Sequence, residues 1–168
     1  MKVEIYSDVA CPWCYIGKAR FERALAAFPG ARDVQVSYRP FQLDPSTPRQ
    51  AQPLYEYGDD VQHRVKDALL RAYFTDGRDV GDRDTLVELA AAAGMAADRT
   101  AEFLAGEDGV AQVREEIDAA RAMGVQAVPT FVFDGRYAVQ GAQETATFRQ
   151  VLEQVAAESE PAADGEDG

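Results

Sequence analysis

The chain has 168 residues, which fits one domain with a full hydrophobic core, and its net charge at pH 7 is -12. Binding to nucleic-acid phosphates or anionic membranes depends on neutralisation by Lys and Arg, so this charge argues against both partners. The longest apolar runs are too short to cross a bilayer and the N-terminus lacks the apolar core of a secretory signal, so the sequence predicts a soluble cytoplasmic protein.

The first elements are a strand, a helix and a second strand. Residues 3–6 alternate apolar and polar side chains, as half-buried strands do. Pro12 suits the first turn of a helix, and the proline–glycine pair at 29–30 ends that helix. A second strand is predicted over 34–41. Such a β-α-β unit should be parallel and right-handed.

The middle of the chain is predicted to be a mostly helical insertion over 43–123. Its first part, 43–57, contains three prolines and is typical of an irregular connection. Beyond Gly58 the apolar residues recur at helical spacing in four successive stripes, separated by glycines. The insertion is therefore predicted to hold about four helices.

The last part of the chain returns to strands and ends in a helix. The segments TFVF and YAVQ flank the turn DGR, which is a hairpin signal. A final helix follows, with Phe148, Leu152 and Val155 on one face. Residues 158–168 carry no apolar side chain larger than alanine, so we predict a disordered acidic tail.

Cys11 and Cys14 are the two cysteines of the chain, and they straddle the start of the first predicted helix. As zinc ligands they supply two of the four groups that a structural site needs, and the single histidine, His63, lies on a distant predicted helix. A permanent disulfide is out of place in a reducing cytoplasm. A zinc site shared across a dimer and two inert buried thiols are the alternatives, and a redox-active pair is the favoured interpretation.

The helix start makes the two cysteines unequal. Unpaired backbone N–H groups and the positive end of the helix dipole favour a thiolate at Cys11, which is therefore expected to be the attacking nucleophile. Cys14, one turn inside, is expected to resolve the mixed disulfide. Pro12 and Trp13 between them tune the couple, and since neither is cationic we expect a milder oxidant than a dedicated disulfide donor. Trp13 either covers the sulfur, meets a substrate or merely packs.

Two stretches of the sequence, one near each end of the chain, resemble a known family. SDVACPWCYIGKARFERAL and GVQAVPTFVFDGRYAVQGAQ together resemble the DsbA-like thioredoxin superfamily, most closely its cytoplasmic FrnE-like oxidoreductase branch. 2-Hydroxychromene-2-carboxylate isomerases and kappa-class glutathione transferases are similar in fold. The resemblance covers 1–157 as one domain. It implies an α/β, thioredoxin-like fold with a helical insertion between the second strand and the later β-β-α unit, shortened here around residues 57–58.

The resemblance also implies roles for particular residues. Cys11 would be the exposed nucleophile and Cys14 the resolving thiol. Pro129 would be a cis-proline facing them. Val128 would offer its backbone to an extended peptide substrate, and Thr130 would line the same groove.

Two acidic residues near the pair are further candidates for redox tuning. Thioredoxin-like proteins often bury an acid in the strand before the cysteines, and Glu4 lies in that strand, one residue further from Cys11 than is usual. Asp8 lies between the strand and the helix. Both also have ordinary explanations as polar surface residues, and His63 is expected to be a solvated helix residue.

Three functions from different classes are compatible with these features. The favoured one is a thiol–disulfide oxidoreductase of protein disulfides, without cofactor or metal, exchanging with cysteine-containing proteins and with glutathione or another thiol reductant. The second is a glutathione-dependent isomerase or transferase acting on an aromatic or polyketide-type small molecule, against which the retention of both cysteines argues. The third is a non-catalytic peptide-binding module.

Overall fold

The computed structural model describes residues 1–44, 58–107 and 109–159. Within these ranges four strands form one sheet in the order β2-β1-β3-β4: β1 is Lys2–Ser7, β2 is Gln35–Pro40, β3 is Thr130–Phe133 and β4 is Tyr137–Gln140. Strand β1 runs parallel to β2 and antiparallel to β3, and β3 runs antiparallel to β4. The predicted parallel β-α-β unit and the predicted final hairpin are both confirmed. Asp134 and Gly135 in the hairpin turn both have positive φ, as the DG signal requires.

The described helices follow in chain order: α1 is Pro12–Ala26, α2 is Gly58–Phe74, α3 is Arg83–Ala92, α4 is Ala97–Ala105, α5 is Val110–Ala122 and α6 is Thr145–Ser159, with a short 3-10 turn at Ala31–Asp33. The four helices α2 to α5 lie between β2 and β3, where the helical insertion was predicted. Among the described residues, no helix is both long and apolar enough to span a bilayer.

The last helix extends two residues beyond the predicted domain end at residue 157. Helix α6 continues through Glu158 and Ser159 because both side chains have partners: the Tyr137 hydroxyl donates to Glu158, and Ser159 Oγ donates to the Val155 carbonyl at 2.8 Å. The remainder of the predicted tail, 160–168, and most of the predicted irregular connection, 45–57, lie outside the described residues.

The two faces of the sheet are covered differently. Helices α1 and α6 cover one face, where the rings of Phe21, Phe131 and Phe148 pack with centroids 4.6 to 5.6 Å apart. Burial of each such ring contributes about 2 kcal/mol. Helix α5 lies towards the other face, where Tyr6 and Phe41 pack with both cysteines. The cysteine pair is therefore part of the second, smaller core.

Helix α2 joins the insertion to the sheet through a buried amide. The side chain of Gln62 accepts a hydrogen bond from the Tyr38 N–H at 2.8 Å and donates one to the Tyr38 carbonyl at 2.9 Å, so it pairs with β2 as a neighbouring strand residue would. Val65 on the same helix packs against Ala90 of α3 and against Met95, which lies between α3 and α4. This double hydrogen bond fixes α2 beside the carboxyl ends of β1 and β2.

Candidate active site

The turn between β1 and α1 is held by Asp8. Its carboxylate accepts hydrogen bonds from the Ala10 N–H at 3.0 Å and from the Leu43 N–H at 2.9 Å, and its carbonyl accepts one from the Cys11 N–H at 3.4 Å. The first of these is an Asx-type turn, and the second connects the turn to the segment after β2. Asp8 therefore fixes the entry of the chain into α1. Its predicted part in redox tuning stays a prediction.

Cys11 is the N-cap residue of α1. It has extended backbone angles, Pro12 occupies the first turn, and the Cys11 carbonyl accepts hydrogen bonds from the N–H groups of Cys14 and Tyr15 at 3.0 and 3.4 Å. The pyrrolidine ring suits this position because its missing N–H has no partner to lose. Cys11 and Cys14 are both free thiols. The predicted arrangement, with one cysteine at the helix start and the other one turn inside, is present.

Cys11 is not exposed, contrary to the expectation carried by the family resemblance. Both cysteines are only 2% exposed. The thiol of Cys11 donates to the carbonyl oxygen of Val128 across 3.6 Å, and the two cysteines pack with Tyr6, Phe41 and Val128. The segment before β3 thus covers the sulfur from a position more than a hundred residues along the chain.

The surroundings of Cys14 favour its protonated form. Burial raises the pKa of Cys14 to about 12; hydrogen bonds from the Ser7 hydroxyl and the Asp8 N–H oppose this shift, and the neighbouring Cys11 thiol adds to it. At neutral pH Cys14 is therefore a thiol. It is suited to react second, after a change in its surroundings has removed its proton.

The segment opposite the cysteines contains the expected cis-proline. The Val128–Pro129 bond is cis, which agrees with the family resemblance. The Pro129 carbonyl accepts a hydrogen bond from the Gly141 N–H at 2.7 Å, and Thr130 Oγ1 donates to the Ala127 carbonyl at 2.7 Å. The hydroxyl of Thr130 therefore holds the segment in place, and its predicted contact with substrate stays a prediction.

Gly17 is a site residue that the sequence reasoning did not single out. A Cβ atom built on Gly17 would lie only 2.8 Å from Cγ of Pro129 and 3.3 Å from Cα of Ala142. Glycine in a helix interior costs about 1 kcal/mol relative to alanine, so its presence in the middle of α1 is the signal that could have identified it. Its absent side chain lets α1 approach Pro129.

Trp13 and Ile16 form an exposed apolar surface on α1 beside the pair. Trp13 is 60% exposed and Ile16, one turn further along the same helix, is 40% exposed. Since so much of the indole contacts solvent, Trp13 is not a core residue. It is available to contact a substrate.

Glu4 lies in a charged cluster on β1. Arg39 of the neighbouring strand donates two hydrogen bonds to Glu4 Oε1 at 2.8 and 2.6 Å, and Lys2 Nζ lies 3.2 Å from the same oxygen. Burial by itself would raise the pKa of Glu4, but these hydrogen bonds and charges outweigh it and hold the pKa below its usual value. Glu4 is thus paired with two cations, and a role in moving protons at Cys14 stays a prediction.

Lys66 of α2 is a second residue that the sequence reasoning missed. It is 7% exposed, and the negative charges that act on it are those of Cys14, Asp8 and Cys11. Burial lowers the pKa of Lys66 to about 8, although these negative charges oppose the shift. In the sequence, its position beside the apolar stripe of Val61, Val65 and Leu69 gave no signal of its depth.

Glu22, His63 and Asp67 have ligand atoms close enough to share a metal ion, all within 4.8 Å of one another. The ammonium group of Lys18 already lies among them: it donates to Glu22 and to Asp67 Oδ1, at 2.5 Å from the latter, and lies 3.4 Å from His63 Nε2. The Lys18 ammonium therefore supplies the positive charge for this cluster. His63, predicted to be solvated, is half-buried, with Nε2 2.6 Å from Glu22 Oε1.

The sheet order, the dithiol at a strand–helix junction and the cis-proline beside it together define a thioredoxin-like protein. Residues 2–153 match the family of DSBA-like thioredoxin domains, and the chain belongs to that family. A probable DsbA oxidoreductase from Streptomyces coelicolor is 34% identical, with 96% of this chain and 92% of that chain covered and a TM-score of 0.83. The predicted fold class and superfamily are confirmed.

Two solved structures of lower identity share the fold. The cytosolic disulfide reductase DsbM from Pseudomonas aeruginosa, solved with GSH, is 16% identical, with 94% and 100% of the two chains covered and a TM-score of 0.65. A 2-hydroxychromene-2-carboxylate isomerase is 17% identical, with 94% and 97% covered and a TM-score of 0.69. Among curated proteins, the uncharacterized YwbO of Bacillus subtilis is 42% identical over 52 residues. That match covers 31% of this chain and 24% of YwbO.

Proposed function

We propose that this protein is a thiol–disulfide oxidoreductase that exchanges disulfide bonds with cysteine-containing proteins through Cys11 and Cys14. The observation that carries the proposal is the free cysteine pair at the start of α1, with the Val128 carbonyl 3.6 Å from Sγ of Cys11 and the cis-proline beside it. Membership of the DsbA-like family supports an oxidoreductase. Protein disulfides as substrates, and the FrnE-like branch, belong to the proposal.

The reaction in the reductive direction has two exchange steps. The thiolate of Cys11 attacks one sulfur of a substrate disulfide, so that a Cys11–substrate bond forms, the substrate S–S bond breaks and the leaving sulfur takes up a proton. Cys14 then loses its proton and attacks Sγ of Cys11. The Cys11–Cys14 disulfide forms, the second substrate sulfur leaves, and two electrons have passed to the substrate. The reverse sequence oxidises a substrate dithiol.

The two thiols have separate roles because their surroundings differ. Cys11 is the N-cap residue of α1, where the positive end of the helix dipole favours negative charge. The raised pKa of Cys14 keeps this inner sulfur protonated until the mixed disulfide has formed. Since Cys11 is buried under the carbonyl of Val128, a substrate sulfur reaches it only when that segment moves away from α1.

The surface around the pair suits a peptide. Trp13 and Ile16 offer an exposed apolar surface, and we propose that the Val128 backbone pairs with an extended substrate segment once it has moved from Cys11. Glutathione is the proposed reductant and the cytoplasm the proposed compartment. In support of both, the fold is shared with a cytosolic disulfide reductase that was solved with GSH.

Two isosteric variants, Cys11→Ser and Cys14→Ser, test the proposal in an insulin-reduction assay with glutathione as reductant. Wild-type protein should accelerate the reaction. Cys11→Ser should lose at least 99% of this acceleration since the nucleophile is gone. Incubated with insulin and without glutathione, reduced Cys14→Ser should attack and then stall, so that a mixed disulfide accumulates and is detected by its mass. Thiol alkylation before and after the assay reports the redox state of each cysteine.

Unchanged activity in Cys11→Ser would overturn the proposal. Two other outcomes would also overturn it and would identify the replacement. Glutathione-dependent turnover of an aromatic small molecule that persists in Cys14→Ser would indicate an isomerase or transferase. Peptide binding by a wild-type pair that never exchanges with glutathione at any ratio of reduced to oxidised thiol would indicate a binding module.

A further inference from the structure

Lys66 is a buried amine that the proposed exchange reaction does not use. It is 7% exposed on α2, and no hydrogen bond or ion pair joins its ammonium group to another of the described residues. Lysines are rarely buried without a partner because the loss of hydration is costly. A group retained at this cost calls for a compensating role.

The position of Lys66 is fixed from both sides. One turn earlier on α2, Gln62 is hydrogen-bonded to the backbone of Tyr38 on β2. One residue later, Asp67 is paired with Lys18 of α1 at 2.5 Å. Lys66 is thus fixed on the part of α2 that is attached to both β2 and α1.

A second contact between the helices sets the direction in which α2 runs. Near the end of α2 the ring of Phe74 stacks on Tyr15, which follows Cys14 directly, with centroids 5.8 Å apart. Because Asp67 meets Lys18 while Phe74 meets Tyr15, α2 runs antiparallel to α1 and leads towards the cysteine pair. Lys66, next to Asp67, therefore lies at the level of Lys18, one turn after Cys14 on α1.

The charged and titratable groups that face Lys66 come from α1 and from the turn before it. They are the thiols of Cys14 and Cys11, the carboxylate of Asp8 and, with the opposite effect, the ammonium of Lys18. The Asp8 carboxylate already accepts two backbone N–H hydrogen bonds, which keep it in place. The two cysteines are the groups in this set whose charge changes with the redox state.

We infer that Lys66 is the buried countercharge of the reduced cysteine pair: its ammonium group stabilises the thiolate form, and disulfide formation removes the negative charge that it faces. This inference rests on the proposed exchange function. Lys66 is a positioning residue, since it acts on the sulfurs through its charge and makes no hydrogen bond to them. The helical insertion would then take part in the redox chemistry.

The redox step balances as follows. Two glutathione molecules give two electrons to the Cys11–Cys14 disulfide and become glutathione disulfide. The S–S bond of the protein breaks, and the glutathione thiols release two protons. One sulfur takes up one of these protons and becomes a thiol, the other sulfur becomes the thiolate that the Lys66 ammonium stabilises, and the second proton passes to solvent. Because burial lowers the pKa of Lys66 to about 8 and negative charge on the thiols raises it, reduction should strengthen proton binding by Lys66.

The test is the equilibrium of the full chain with reduced and oxidised glutathione, read by thiol alkylation from pH 6 to pH 9.5. Lys66→Met should move the equilibrium constant at least tenfold towards the disulfide at pH 7, which is about 30 mV. The matched control is Arg71→Met, which removes a charge from the same helix at a side chain that is 73% exposed. Its equilibrium constant should stay within twofold of that of wild type. Lys66→Arg keeps the positive charge, so its equilibrium constant should stay close to that of wild type.

The pH dependence separates a charge effect from a packing effect. The difference between wild type and Lys66→Met should shrink as the pH rises above about 8, because the wild-type amine then loses its proton. A difference below twofold at pH 7, or one that is the same at every pH, overturns the inference. If Lys66→Met fails to fold, judged by circular dichroism, Lys66→Gln replaces it. A wild-type protein that does not exchange with glutathione would instead overturn the proposed function.

Discussion

Two buried lysines on adjacent helices have opposite surroundings. Lys18 on α1 is 3% exposed in its side chain, and its ammonium is paired with Glu22 and Asp67 and lies close to His63. Lys66 on α2 is similarly buried, yet none of the described residues pairs with it, and the negative groups that act on it are the cysteines and Asp8. The charge of Lys18 is paired with carboxylates in both redox states, whereas the proposed thiolate counterpart of Lys66 is present in one redox state.

The difference separates a structural charge from a functional one. The cluster around Lys18 connects α1 to α2, and its contribution should be read in the free energy of unfolding. Lys66 makes no such connection and its burial opposes folding, so its contribution should be read in the redox equilibrium. Substitution of each lysine by methionine, which has similar length and no charge, tests the distinction directly.

The largest expected effect is the loss of stability in Lys18→Met. Glu22 and Asp67 would lose their buried cation, and the interface between α1 and α2 would keep two carboxylates without it. We expect a loss of about 2 kcal/mol in the free energy of unfolding at pH 7, moderated because both carboxylates are partly exposed and can rehydrate. Urea unfolding followed by circular dichroism measures it.

The matched variant for this measurement is Lys66→Met, which should be as stable as wild type or more so, because an unpaired buried charge is replaced by an apolar side chain. The glutathione equilibrium of Lys18→Met should change much less than that of Lys66→Met. If Lys66→Met were less stable than Lys18→Met, the distinction between the lysines would fail.

The second prediction concerns the pH dependence of stability. The pKa of Lys66 is about 8 in the folded protein, below the ordinary value of 10.5, so between pH 8 and 10 the unfolded chain holds a proton that the folded protein has released. Stability from this group therefore rises with pH over that window. Between pH 8 and 9.5, unfolding of the reduced protein should show wild type gaining on the order of 1 kcal/mol relative to Lys66→Met.

Cys14 acts in the opposite direction in the same experiment. Its pKa is raised from 9.0 to about 12, so stability from Cys14 falls as the pH rises above 9. This effect is present in both proteins and cancels when their stabilities are subtracted. A difference between wild type and Lys66→Met that is flat with pH would show that Lys66 is not held in an apolar environment.

The elements that could be predicted from the sequence are those whose signal is local. The alternation at 3–6, the proline after Cys11 and the DG turn before β4 each describe a few consecutive residues, and the structure contains the elements they indicated. The spacing of Cys11 and Cys14 placed them correctly at the start of α1. The cis state of Pro129 followed from the family resemblance rather than from the residues alone.

The features that could not be predicted depend on contacts between distant segments. Burial of Cys11 results from the Val128 carbonyl, which lies 117 residues further along the chain. The partner of Glu4 lies on a neighbouring strand, at Arg39. The depth of Lys66 depends on how α2 is attached to α1 and β2, and helical periodicity alone does not say which neighbours a helix will have.

The smallest expected effect on stability and potential comes from the exposed apolar surface of α1. Trp13 is 60% exposed, so Trp13→Ala should change the free energy of unfolding by less than about 0.5 kcal/mol. The glutathione equilibrium constant of Trp13→Ala should stay within twofold of that of wild type, because the indole is uncharged. The KM for insulin should rise several-fold with kcat nearly unchanged, since an exposed aromatic anchor contributes to binding a peptide.

Glutathione provides the internal control for Trp13→Ala because it is too small to need the apolar surface of Trp13 and Ile16. A shift in the glutathione equilibrium would show instead that Trp13 acts on the sulfur itself, which would give α1 a second source of redox tuning besides Lys66. Equal KM values for both proteins would leave the indole without a part in peptide binding. In that case the peptide would have to be held by Ile16 and the backbone of Val128.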